Sequence, residues 1–143
     1  MTHIYYNVAD KLTGQFAGTI HADDIALIEV AVEHMFAVAL DPTFGDDPEF
    51  IYVVDGSPPV STLRPTLAIT NDGPTVAASP SAAVTFSNVP TGAGITVVDD
   101  NGTAAYVMDA SNVFRWQPRV VSSAVVSFDL FPAMVLRVPV EGT

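Results

Sequence analysis

Residues 94–109 run Gly-Ile-Thr-Val-Val-Asp-Asp-Asn-Gly-Thr-Ala-Ala-Tyr-Val-Met-Asp, two alternating stretches around a short polar turn. Asn-Gly between alternating runs is the strongest short-range hairpin signal, because both residues tolerate positive φ. We therefore predict strands at Gly94–Asp99 and Ala104–Asp109, joined by a tight turn at Asn101-Gly102. This hairpin indicates that the second half of the chain is β-rich.

Further strands are predicted on both sides of this hairpin, separated by Asn, Gly and Pro turn signals at 71–74, 88–92 and 131–132. Within residues 124–130, alternation places Val126, Phe128 and Leu130 inward, whereas Pro139 is typical of an edge strand. Short strands at this spacing predict a β-sandwich. The predicted strands are Thr66–Thr70, Ala83–Ser87, Gly94–Asp99, Ala104–Asp109, Val113–Gln117, Val120–Phe131 and Met134–Val140.

The first half has a different pattern, and it predicts a small α+β unit of ββαββ order. A turn at 10–14 separates strands at 3–7 and 15–20. Asp23-Asp24 favours a helix start, and the apolar spacing that follows predicts a helix over about residues 23–33. Strands at 35–40 and 50–54 complete the unit. Because Pro58-Pro59 stiffens the chain, we predict domains at 1–56 and 64–143 with a linker at 57–63.

Charge and composition limit the possible functions. The chain has 143 residues, a net charge of −11 and no cysteine. Such acidity disfavours nucleic-acid binding, and the absence of cysteine excludes disulfides and thiol chemistry. The start of the chain does not resemble a signal peptide, and charged residues interrupt the most apolar stretch, 25–40. We therefore expect no nucleic-acid binding and no membrane insertion.

Metal and catalytic motifs are weak. His3, His21 and His34 lack zinc-site spacing. A calcium loop starting at Asp99 would place Ala104 and Ala110 where glycine and a bidentate acid are needed. The acidic residues 46–49 remain an open calcium alternative. No nucleophile elbow or dinucleotide fingerprint is present, so we expect no enzyme activity and no cofactor.

A candidate interaction surface is formed by Arg115, Trp116 and Arg119. Trp116 is the only tryptophan, and an aromatic ring beside arginines is typical of a protein- or sugar-binding hot spot. The alternative is a core position, because Phe114 and Trp116 share one strand face. Arg115 would then point outward.

Short motifs along most of the chain resemble the tail-fibre and tail-tip accessory proteins of tailed bacteriophages. One departure is that Val121–Ala124 stands where that family has a Pro-Gly-Thr-Tyr step. The similar segments are Tyr5-Tyr6-Asn7, Thr13-Gly14, Gly18–Ile20, Tyr52–Gly56, Arg64-Pro65, Ser87–Pro90, Gly94–Asp99 and Val126–Pro132.

The resemblance implies a virion structural protein of a tailed bacteriophage, a tail-tip or tail-fibre adaptor or appendage. It implies an Ig-like or prealbumin-like β-sandwich as the second domain, other phage structural proteins as partners and assembly in the host cytoplasm. By tail symmetry we expect a homo-trimer or homo-hexamer. A capsid decoration protein and a carbohydrate-binding module that recognises a host surface glycan remain as alternatives.

Overall fold

The computed structural model describes residues 4–10, 13, 15–22, 35–39, 49–54 and 60–143. The chain divides into two compact units, Met1–Pro65 and Thr66–Thr143, and each is treated separately below. The protein is mainly β, with several sheets and no helix among the described residues.

Unit 1 contains strands in two sheets. Strands β1 (Ile4–Asp10), β2 (Phe16–Ala22) and β3 (Met35–Ala39) form an antiparallel sheet of order β2-β1-β3. Strands β4 (Ile51–Val54) and β5 (Val60–Leu63) form a two-stranded antiparallel ladder. The backbone N–H of Arg64 donates to the carbonyl of Phe50 at 2.8 Å and extends that pairing by one step.

The four strands predicted for unit 1 are present, with ends shifted by a few residues. The turn between β1 and β2 includes Thr13, whose hydroxyl accepts a hydrogen bond from the N–H of Gln15 at 3.1 Å. The helix predicted over 23–33 lies outside the described residues.

Part of the predicted linker is a strand in the structure. Val60–Leu63 is strand β5 because its residues pair with Ile51–Val54, and residues 57–59 lie outside the described range. The division between the units follows Pro65, two residues beyond the end of the predicted linker.

Unit 2 contains two sheets that share one core. Strands β10, β9, β12, β13 and β7 form the five-stranded sheet in that order, and β11, β8 and β6 form the three-stranded sheet. All neighbours are antiparallel except β13 and β7, which are parallel. The strands are β6 (Thr70–Asn71), β7 (Thr75–Val76), β8 (Val84–Ser87), β9 (Gly94–Asp99), β10 (Gly102–Val107), β11 (Val113–Trp116), β12 (Ser122–Asp129) and β13 (Leu136–Gly142).

The core of unit 2 draws side chains from both sheets. Phe86 of β8 and Phe128 of β12 are fully buried, and their ring centroids lie 5.0 Å apart across the two sheets. Phe114 of β11 meets Phe128 edge to face at 6.3 Å. Such offset aromatic contacts add to the area that the rings bury. The core therefore fixes the sheets face to face. Its buried members are Val84, Phe86, Val89, Ala93, Ile95, Val97, Met108, Trp116, Ala124, Val126, Phe128 and Val140.

The alternation predicted for β12 is confirmed. Val126 and Phe128 are fully buried, whereas Val125 and Asp129 are exposed; Leu130, just beyond the strand, is half-buried. Pro139 lies opposite Val125, and β7 pairs with β13 only at Glu141 and Gly142, so the other side of β13 at Pro139 is an open edge.

The hairpin between β9 and β10 is confirmed, with one difference in the turn. Gly102 pairs with Asp99, so the two loop residues are Asp100 and Asn101. The positive φ, 137°, falls on Gly102 at the start of β10. The Asp99 carboxylate accepts a hydrogen bond from the N–H of Asn101 at 2.8 Å and closes the turn.

Two predictions at the start of unit 2 differ from the structure. Residues 66–69 are not a strand, and β6 begins only at Thr70. Strand β7, at Thr75–Val76, is not among the predicted strands. It is ordered by pairing with the C-terminal end of β13.

Candidate functional site

A groove opens in unit 2 where the five-stranded sheet extends past the three-stranded sheet. Ala104 and Tyr106 of β10 lie opposite Val97 and Ile95 of β9, so they face the same side as these core residues. Ala104 and Tyr106 are nevertheless exposed, and Tyr106 keeps 51% of its surface. The inner face of β10 is therefore uncovered and borders an open space beside the edge strand β11.

The groove has a volume of about 370 Å³ and a mixed lining. Its aromatic part is formed by Tyr106 and Phe114, whose ring centroids lie 5.5 Å apart, together with Trp116. Its polar part includes Asp99, Gln117 and Arg119. A concave site with an aromatic surface and a few convergent polar groups is typical of small-molecule binding. The full lining is Val97, Asp99, Ala104, Tyr106, Phe114, Arg115, Trp116, Gln117 and Arg119.

The structure places Arg115, Trp116 and Arg119 along the same groove, in different surroundings. Trp116 is buried, with 9% of its surface exposed, and belongs to the core cluster. Arg115 and Arg119 are exposed. Trp116 is therefore a core residue that also borders a surface groove, and its part in an interaction surface stays a prediction.

Arg115 has a carboxylate in its neighbourhood on the three-stranded sheet. It pairs with Thr85 of β8, and the backbone N–H of Thr85 donates to Asp72 Oδ1 at 2.8 Å. This hydrogen bond holds the pKa of Asp72 below its ordinary value of 3.8, and the positive charge of Arg115 acts in the same direction. Arg115 therefore has a carboxylate of the same unit in its neighbourhood.

Arg119 has different surroundings from Arg115. It lies in the segment that joins β11 to β12, directly after the buried Pro118. Among the residues that the structure describes, no carboxylate forms an ion pair with Arg119. The guanidinium group of Arg119 is therefore available to a hydrogen-bond acceptor on a ligand.

The loops at one end of unit 2 are tied together by hydrogen bonds. Asn112, at a φ of 57°, donates through its side-chain amide to the carbonyl of Val89 at 2.8 Å and to the hydroxyl of Thr91 at 3.1 Å. Asp109 accepts hydrogen bonds from the hydroxyl and the backbone N–H of Ser111, which lower the pKa of its carboxyl below the ordinary value. These contacts stabilise the connection that leads from β10 into β11.

A second surface lies on the outer face of the five-stranded sheet. Val98, Val125 and Pro139 are directly opposite one another on β9, β12 and β13, and all three are exposed. They form an apolar row across the sheet. This row lines a shallow cleft that Asp100 and Glu141 also border.

The histidine-based metal alternatives and the loop at 46–49 fall largely outside the described residues. His21 lies in β2 opposite Tyr5, whereas His3, His34 and residues 46–48 are not described. In the part of the chain that the structure covers, no three His, Asp or Glu side chains group in a way that would hold a metal ion. That same part contains no helix with the length and apolar character needed to cross a membrane.

Comparisons with protein-family models, curated proteins and solved structures find no match to this chain. The geometry of unit 2 and the sequence resemblance are therefore the two supports for a functional proposal.

Sequence reasoning did not anticipate that Asp99, Ala104, Tyr106 and Gln117 border the same groove as Trp116. Ala104 and Tyr106 alternate like core residues, which is the signal that placed their strand. Their exposure depends on β10 being an edge strand of the larger sheet, and this is a property of the whole topology.

Proposed function

We propose that this chain is a non-catalytic structural protein of a tailed bacteriophage, an adaptor or appendage at the tail tip or tail fibre. In this proposal unit 2 is an Ig-like β-sandwich, and the N-terminal residues form an α+β docking unit. The observation that carries the proposal is the strand order of unit 2.

Three observations on that strand order support the proposal of an Ig-like domain. Strands β6, β8 and β11 lie in one sheet, and β9, β12 and β13 lie in the other. The chain therefore passes from one sheet to the other between β8 and β9, returns between β10 and β11, and crosses again between β11 and β12. Such crossovers are typical of Greek-key connections in Ig-like sandwiches. The aromatic contact between Phe86 and Phe128 lies between the sheets, where such a domain has its core. An Ig-like second domain is what the resemblance to phage tail proteins implies.

Attachment to a symmetric particle would suit this architecture. A trimer or hexamer presents several copies of unit 2 at once, and linked copies convert weak individual contacts into stable attachment. The apolar row of Val98, Val125 and Pro139 is an exposed surface of the kind that other structural proteins can cover.

The test is localisation on intact particles. Gold-conjugated antibody against this chain should label the tail tip or fibres of the phage from its source. Label over the head would instead indicate a capsid decoration protein. Particles that contain no copy of the chain, by labelling and by mass spectrometry of purified virions, would refute a virion role.

A second candidate function, carbohydrate binding, is favoured by the groove beside β10. Tyr106 offers an exposed ring and Gln117 and Arg119 offer hydrogen-bond donors in one concave site. In a phage protein this activity would serve recognition of a host surface glycan. Because Trp116 lines the groove, sugar binding should change its fluorescence, whereas a site elsewhere on the unit should leave it unchanged.

A further inference from the structure

We propose that the groove between β10 and β11 binds a saccharide that carries a carboxylate, with Arg119 as the partner of that carboxylate. This inference rests on the carbohydrate-binding function proposed above and names its ligand class. It does not depend on the location of the chain in a virion.

The groove presents an aromatic surface to a ligand. Tyr106 is half exposed although it lies on the inner face of β10, and Phe114 packs beside it with centroids 5.5 Å apart. This packing holds the phenol ring in place before a ligand arrives. A preformed aromatic surface can cover the apolar face of a sugar ring at little cost in conformational entropy.

Positive side chains are concentrated at the groove. The chain has a net charge of −11 and only five positive side chains, yet two of them, Arg115 and Arg119, border this groove. Arg115 pairs with Thr85, whose N–H donates to the Asp72 carboxylate, whereas Arg119 has no ion-pair partner among the described residues. A guanidinium group matches a carboxylate with two parallel hydrogen bonds.

The polar lining and the size of the groove also fit a sugar. Asp99 can accept hydrogen bonds and Gln117 can both donate and accept them, so the lining offers partners to sugar hydroxyl groups. A volume of about 370 Å³ lies within the range of small-ligand sites. The acidity of the remaining surface disfavours a polyanion such as a nucleic acid, which leaves a ligand with isolated negative charges as the best fit.

The test compares glucuronic acid with glucose on the full chain. The two sugars share a pyranose ring and differ at C6, where glucuronic acid has a carboxylate. Binding is followed by Trp116 fluorescence and by amide chemical shifts at Ala104, Tyr106 and Gln117. We expect glucuronic acid to bind at least about tenfold more tightly than glucose, since a charge-assisted hydrogen bond contributes in that range.

Matched variants separate the two contributions. Arg119→Gln should remove the preference for glucuronic acid and leave glucose binding unchanged, and added salt should have the same effect. Tyr106→Ala should weaken both sugars. Arg137→Gln is the control, because it makes the same change of charge on the exposed face of β13 and should retain the preference.

Several outcomes would overturn the proposal. Equal affinity for the two sugars, or a preference that survives Arg119→Gln, would refute the carboxylate contact. Shifts outside the groove, or no binding of either sugar, would refute the saccharide site. A Trp116 signal that changes with protein concentration and not with sugar would show that the groove is filled by a second copy. In each of these cases the virion proposal stands or falls on its own labelling experiment.

Discussion

Gly142 has the least room for an added Cβ atom among the glycines for which the structure describes the surroundings. A Cβ atom added there would lie 2.5 Å from Cβ and 2.7 Å from Cγ of Pro118, and 3.3 Å from the carbonyl of Val120. Pro118 is buried and its ring is rigid, so the clash must be relieved by moving backbone.

We therefore predict that Gly142→Ala destabilises unit 2 by about 1–3 kcal/mol, as overpacking does elsewhere. Urea unfolding followed by Trp116 fluorescence measures this change. Gly94→Ala is the control, because its new Cβ would meet only the carbonyl of Asp129 at an ordinary 3.7 Å. Equal midpoints for the two variants would contradict the prediction.

Asp72 and Asp109 should make the stability of unit 2 decrease at acid pH. Hydrogen bonds from Thr85 and Ser111 lower the pKa of these two carboxyls below 3.8 in the folded state. Their contribution is therefore fully present above the ordinary pKa and is lost as pH falls through the lowered folded value. Below about pH 4, the melting temperature of the wild type should decrease as the pH is lowered. The double substitution D72N/D109N should make this decrease smaller. Asp129→Asn, on the outer face of β12, is the control because it removes the same kind of charge. If the double variant loses as much stability at low pH as the wild type, Asp72 and Asp109 are not the source of the pH dependence.

At the scale of the element, β12 shows that the inward-facing residues of an alternating strand contribute most to the free energy of unfolding. Phe128 is fully buried between the two sheets, and Val125 on the opposite face is 39% exposed. We predict that Phe128→Ala costs about 3–5 kcal/mol, the usual range for a core phenylalanine. Val125→Ala, in the same strand, should cost well under half of that, because its methyl groups leave only a partly covered surface. Denaturant unfolding of both variants provides the comparison, and similar losses would mean that β12 is not oriented as described.

The same strand explains what could be predicted from the sequence. Val126 and Phe128 follow a period of two that can be recognised without any partner strand, and the Asn-Gly sequence at 101–102 predicts the hairpin locally, although the two loop residues are Asp100 and Asn101. Strand β7 could not be predicted in this way, because Thr75–Val76 becomes a strand only by pairing with Glu141 and Gly142 at the other end of the unit.

The groove is a related case. Arg115, Trp116 and Arg119 are close in sequence and could be selected together. Tyr106 and Asp99 join them only because β10 is an edge strand that extends past the three-stranded sheet. Local patterns do not encode which strand is last in a sheet.

At the scale of the whole molecule, unit 2 has a core of its own. Its buried cluster is drawn from residues 84–140 and includes both sheets. We predict that residues 66–143 expressed alone fold with a single cooperative transition, and that Trp116 emission and far-UV circular dichroism report the same midpoint. Two separate transitions, or an unfolded fragment, would show that unit 2 requires unit 1.

The parallel pairing of β7 with β13 determines how unit 2 responds to a mechanical load. The N–H of Glu141 donates to the carbonyl of Pro74, that of Thr143 to Val76, and that of Ala78 to Thr143, at 2.8–2.9 Å. Because the first of these strands is near the beginning of the unit and the second is at its end, tension applied between the two ends pulls the strands along their length in opposite directions. All of these bonds are then loaded in shear and must break together, whereas an antiparallel terminal pair would open one bond at a time. We therefore expect a domain built in this way to resist stretching between its two ends.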